Sequence, residues 1–167
     1  MMSYRGHMGP VYNVQWCPFQ QSLFISCSAD WTVRLWLTDR DTPLLTLQNS
    51  SDEVHDVQWC PSNSTVFATA SGGGSVEVWD LAVSTLKPVA TFSKPGVRMT
   101  SVLFNEHNST IVAGDSAGGV SVLRLFGIAL EADGEEGQKA RLAAAMDANV
   151  IKTVRAEAAD AGAKASA

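Results

Sequence analysis

Ser26-Cys27-Ser28-Ala29-Asp30-Trp31-Thr32-Val33-Arg34-Leu35-Trp36 is the stretch whose reading decides the fold. It reads as a strand, a tight turn and a second strand. Leu23 to Ser28 forms the first strand and Thr32 to Trp36 the second. Ala29, Asp30 and Trp31 make the turn, where a short polar side chain bonds its own backbone. Side chains alternate along a strand, so Val33 and Leu35 point one way and Arg34 and Trp36 the other.

The stretch repeats. Trp16-Cys17-Pro18 returns as Trp59-Cys60-Pro61, and Trp36 returns as Trp79, both 43 residues on. The strands between recur as Val66 to Ser71 and Ser75 to Trp79. A weaker third copy follows: Ser101 to Asn105, Thr110 to Gly114 and Val120 to Leu123. In it Phe104 stands where Trp16 and Trp59 stand, and Leu123 where Trp36 and Trp79 stand. A period of about 40–45 residues is that of a four-stranded propeller blade. Pro43 to Gln48 and Pro88 to Phe92 suit outer strands, where proline is tolerated because one edge is unpaired. A small β-sandwich also spaces its strands regularly, but position-matched Trp-Cys-Pro triplets argue for the propeller.

The composition narrows the function. Of 167 residues, 46% are hydrophobic and 17% charged, which suits a globular core rather than a disordered chain. The net charge is −5 and neither half is basic, which argues against tracking a nucleic-acid backbone. No apolar run approaches the ~20 residues of a membrane span, and the first residues carry no apolar signal core. Three cysteines, an odd number, do not suggest a disulfide framework; a reducing compartment fits better. Their spacings of 10 and 33 match no zinc pattern. His55 and His107 read as lone structural residues. Three Asn-x-Ser/Thr sequons, at Asn49, Asn63 and Asn108, read as turn residues. No paired carboxylates, activated nucleophile, cofactor loop or substrate pocket is legible, so no enzyme, cofactor or small-molecule substrate is expected.

The order Gly6-His7, Val11-x-x-Val14-x-Trp16, Ser26-x-Ser28-x-Asp30, Val33-x-Leu35-Trp36 resembles a WD40 repeat. The resemblance implies a hydrogen-bonded tetrad that links strands within a blade: His7, Ser26 or Ser28, Asp30 and Trp36. Such a set could be mistaken for a Ser/His/Asp hydrolase. The repeat spacing and the lack of an oxyanion hole favour a structural role. In the second copy Ser50 and Gly73 replace the His and Asp; in the third Ala117 replaces the Asp. Gly72-Gly73-Gly74 reads as a strand turn, since no helix or Lys-Ser/Thr follows it.

After Leu125 the character changes. The expected organisation is three repeats over about 5–48, 49–92 and 93–130, a linker over 131–137, a helix over 138–155 and a disordered tail over 156–167. Leu142, Met146, Val150 and Val154 form one apolar helical stripe, facing either the propeller or a partner.

Asp30-Trp31-Thr32-Val33, with Tyr12-Asn13-Val14-Gln15-Trp16-Cys17-Pro18-Phe19 before it, resembles the dynein intermediate chains. Ser64 to Ala68, Asp80-Leu81, Phe104-Asn105 and Val112 to Asp115 are most similar to the first type of axonemal outer-arm chain. The resemblance spans about residues 5–125. It implies a non-catalytic subunit whose propeller sits on the dynein heavy-chain tail, with a second intermediate chain and light chains in the same complex. It also implies a place in the ciliary or flagellar axoneme and cytoplasm, with no nucleic acid or membrane as partner. The alternative is a generic WD40 interaction module, such as an assembly factor or ubiquitin-ligase receptor. Trp31 stands where this repeat usually has glycine, and is expected to pack on a neighbouring blade or on the partner. Three blades are fewer than a ring of typically 4–8. Two apolar faces are therefore expected to stay open, with the helix covering one of them at most.

Overall fold

The computed structural model describes residues 2–48, 52–127 and 134–148. Among the described residues eleven strands form three antiparallel sheets that follow one another along the chain. The first sheet contains β1 (Val11–Trp16), β2 (Leu23–Ser28), β3 (Val33–Leu37) and β4 (Leu45–Leu47), in that spatial order. The second contains β5 (Val54–Trp59), β6 (Val66–Ser71), β7 (Ser75–Asp80) and β8 (Ala90–Ser93). The third contains β9 (Met99–Phe104), β10 (Thr110–Asp115) and β11 (Val120–Arg124). Only three strands of this sheet fall among the described residues, against the four expected.

The register explains the repeat. Trp16 lies opposite Phe24, and Phe24 opposite Trp36; Trp59, Phe67 and Trp79 repeat that row. Phe24 and Trp36 stack at 6.1 Å between ring centroids, as do Phe67 and Trp79 at the same distance. Cross-strand aromatic rows of this kind stabilise a sheet. In the third sheet the row shrinks to Phe104, Ile111 and Leu123. A groove of about 310 Å³ lies beside Leu123, between Val76, Val78, Phe92 and Ile111. Leucine fills less of the seam than Trp79 does one repeat earlier.

Two apolar layers join the sheets. One packs Leu23, Ile25, Leu35 and Leu47 of the first sheet against Trp59, Phe67 and Trp79 of the second. The other packs Val66, Ala68, Val76 and Val78 against Met99, Val102, Phe104 and Ile111. Each inner sheet face thus meets the opposite face of its neighbour, as successive blades of a propeller do.

One helix, α1, spans residues 135–148. It starts inside the expected linker because the Gly134 carbonyl already accepts the Gln138 N–H (3.0 Å). Glu135 and Glu136 suit the positive end of the helix. The rest of the expected helix and the whole tail lie outside the described residues, Val150 and Val154 with them. Leu142 and Met146 are buried in the layer between the first two sheets. They face inward and are not offered to a partner. Gln138, also buried, accepts the Ser64 N–H at 2.9 Å, and its backbone carbonyl accepts the Ser64 hydroxyl at 2.7 Å. The helix therefore covers one end of the seam between the first two sheets and neither of the open faces.

Candidate functional site

The tetrad is assembled in the first sheet. Trp36 Nε1–H donates to Ser26 Oγ at 2.8 Å. Ser26 Oγ lies 2.7 Å from His7 Nε2, and His7 Nδ1 lies 2.9 Å from Asp30 Oδ2. One neutral tautomer satisfies all three contacts: the serine hydroxyl donates to Nε2, and Nδ1–H donates to the carboxylate. Ser26, not Ser28, belongs to this set: Ser28 lies two residues further along the same face of β2, at the turn, and finds other partners. Ser28 Oγ instead donates to the Gly9 carbonyl and accepts the Asp30 N–H. Gly6 lies close to the Arg34 guanidinium and the Trp36 ring, so a side chain added there would have to displace the arginine.

Asp30 is the hub. It accepts the Met8 N–H, the Thr32 N–H and the Thr32 hydroxyl, at 2.9, 3.0 and 2.6 Å. Burial opposes its ionisation, but donation from Thr32, Met8 and His7 prevails and holds its carboxyl well below the usual range. Burial pushes His7 below its ordinary value, against the pull of Asp30. The imidazole is thus held neutral.

The Asp–His–Ser order is that of a hydrolytic triad, but Ser26 is not placed to attack a substrate. Ser26 is 2% exposed, and its oxygen already accepts the Trp36 indole N–H. A nucleophile needs an open approach and donors for the developing oxyanion. The set instead clamps the segment before β1 across β2 and β3.

The copies diverge as the sequence indicates. In the second sheet Thr69 stands at the Ser26 position, and Trp79 Nε1 has no partner among the described residues. Ser50 lies outside the described residues. In the third sheet an ion pair not anticipated from sequence replaces the tetrad. Lys94, 87 residues after His7, donates to Asp115 Oδ2 at 2.6 Å. Asp115 Oδ1 accepts the N–H groups of Ala117 and Gly119 and so caps the turn in place of the missing carboxylate at Ala117. The repeat offset alone would have pointed to Lys94.

The turns between the second and third strands share one conformation. Gly74 and Gly118 have φ of 83° and 84°, and Trp31, their repeat equivalent, has φ 68°. Trp31 is the one non-glycine with positive φ among the described residues, and it is 46% exposed. Almost half of the residue's surface is therefore left open.

The cysteines are inert. Cys17, Cys27 and Cys60 are free and buried; burial pushes the Cys27 thiol up to about 12. Among the described residues no cluster of His, Cys, Asp or Glu could hold a metal ion, and no helix is long and apolar enough to cross a membrane.

The family model "WD domain, G-beta repeat" matches residues 1–36 and 41–80. The dynein axonemal intermediate chain 4 of Xenopus laevis is 44% identical over 115 residues, which is 68% of this chain and 15% of that protein. The dynein axonemal intermediate chain 1 of Bos taurus is 40% identical over 126 residues, 74% of this chain and 18% of that protein. This chain therefore spans under a fifth of the length of these relatives. A chain in a crystal structure of the mitotic checkpoint complex superposes with a TM-score of 0.65 at 24% identity, over 74% of this chain and 39% of that one, and shows the fold alone. The chain carries WD40 repeats arranged as consecutive propeller blades and is homologous to the axonemal dynein intermediate chains.

Proposed function

We propose that this chain is part of a non-catalytic scaffold subunit of an axonemal dynein motor complex, supporting microtubule-based movement of a cilium or flagellum. Its WD40 blades bind the heavy-chain tail, in a complex that also holds a second intermediate chain and light chains. The observation that carries this reading is the 44% identity over 115 residues to an axonemal intermediate chain. Trp31 is the residue we assign to partner contact. A tryptophan held in a left-handed turn costs about 1–2 kcal/mol that glycine would avoid, and tryptophan is enriched in interface hot spots.

The test is affinity purification of the tagged protein from axonemal extract. Co-purification of dynein heavy chains, weakened by Trp31→Gly, supports the reading. Recovery without heavy chains, or with ubiquitin-ligase subunits in their place, overturns it.

A further inference from the structure

The seams between the sheets carry a device that repeats and then stops. On β1, Asn13 and Gln15 face the second sheet. Gln15 Oε1 accepts the backbone N–H of Trp59 at 2.6 Å, and Asn13 Nδ2 donates to Asp56 Oδ1. On β5, 43 residues further on, Asp56 and Gln58 face the third sheet. Asp56 Oδ2 accepts the Val102 N–H at 2.8 Å, and Gln58 Oε1 accepts the Phe104 N–H at 2.5 Å. Each seam is thus closed by a glutamine that caps the aromatic position of the next blade's innermost strand. That N–H points away from its own sheet, and capping it keeps a backbone donor from being buried unpaired.

The register identifies both ends of the series. Gln15 pairs with Ile25, Gln58 with Ala68 and Leu103 with Val112. The third sheet therefore has leucine at the glutamine position, and Leu103 is 57% exposed. At the other end, Trp16 occupies the place of Trp59 and Phe104. It is 59% exposed, against 2% and 4% for its mates. Val14 beside it is 56% exposed, where Val57 and Val102 are buried. The outer part of the same face is covered, because Tyr4 packs edge-on against Phe24 and Trp36. The inner strip at Val14 and Trp16 is open, and no described side chain caps the Trp16 N–H as Gln15 and Gln58 cap its mates.

We propose that this strip is a docking surface for a further blade whose innermost strand carries an amide acceptor at the position of Gln15 and Gln58. The occupant follows from continuity with the two seams already closed: the same face, with the same residue types, is covered twice in this molecule, each time by a blade with that glutamine. The back of the third sheet, ending in Leu103, does not qualify as that blade. The series is directional, and the unmodified chain does not cap its own Trp16 edge with a second copy. The inference is independent of which motor or other complex the protein serves.

The exposed position of Leu103 makes the test direct. A copy carrying Leu103→Gln supplies the missing acceptor, so sedimentation velocity should show head-to-tail association tightened about tenfold over the unmodified chain, from the added hydrogen bonds. Two copies would bring together six sheets, within the typical range of 4–8 blades. Trp16 should become protected from iodide quenching in the same concentration range. Leu103→Ser, polar but too short to reach, should weaken association. The sign decides. If apolar contact alone governs this face, glutamine in place of leucine also weakens association, and that result overturns the proposal. Tight association of the unmodified chain with Trp16 shielded would overturn it as well. Within the chain, Gln58→Leu should lower the melting midpoint by roughly 3–8 °C; an unchanged midpoint refutes the capping role.

Discussion

Replacing Asp30 by alanine removes the one acceptor shared by four donors: His7 Nδ1–H, Met8 N–H, Thr32 N–H and the Thr32 hydroxyl. The four losses are not equal. Met8 N–H lies at the surface and water replaces the carboxylate there. The Thr32 hydroxyl rotates to another acceptor. The His7 Nδ1–H and the Thr32 N–H are less fortunate, since the imidazole is 7% exposed and the Thr32 N–H lies in a partly buried turn. A buried donor left unpaired costs about 1–3 kcal/mol. Two such donors, discounted for partial access of water, give a loss of about 2–4 kcal/mol for Asp30→Ala. For a chain of this size that corresponds to a fall in melting midpoint of roughly 5–15 °C. Thermal melts followed by far-ultraviolet circular dichroism would read it. A second arm tests the network itself. His7→Ala should cost less in the Asp30→Ala background than alone, because residues in one network are not additive. A midpoint within about 1 °C of the parent, or strictly additive losses, would refute the hub role of Asp30.

Three further outcomes are expected. Because the folded-state value of His7 is lowered, the unfolded chain binds the extra proton first, so stability falls as pH drops below 6.5; that of Asp30 is lowered too, adding a second loss below 3.8. Urea titrations across this range should show the first loss shrink in His7→Ala and the second in Asp30→Ala. Trp31→Gly should raise stability by about 0.5–1 kcal/mol, the relief of left-handed strain less the entropy of glycine; a lower midpoint would mean that the indole packs on its own blade. Gln138→Ala strips the Ser64 N–H of its acceptor and should loosen α1 at a cost of about 1–3 kcal/mol; hydrogen exchange at residues 135–148 unchanged from the parent would contradict this.

The sequence by itself determined the repeat, the strands and the turn. A 43-residue period with matched tryptophans leaves little freedom, because alternation and register carry each side chain to the same place in every copy. The tetrad residues, and the turn position that Trp31 takes from glycine, followed from the resemblance to WD40 repeats. Tertiary structure decided three things. It chose Ser26 over Ser28, which share a face of β2 and differ only in how far along the strand they lie from His7. It turned Leu142 and Met146 inward, which an apolar stripe cannot reveal because a stripe does not name what it packs against. It also showed that Gln15 and Gln58 hold blade to blade. Their partners are the backbone N–H groups of Trp59 and Phe104. Backbone donors have no sequence signature, so contacts made to them become visible only once the sheets are stacked.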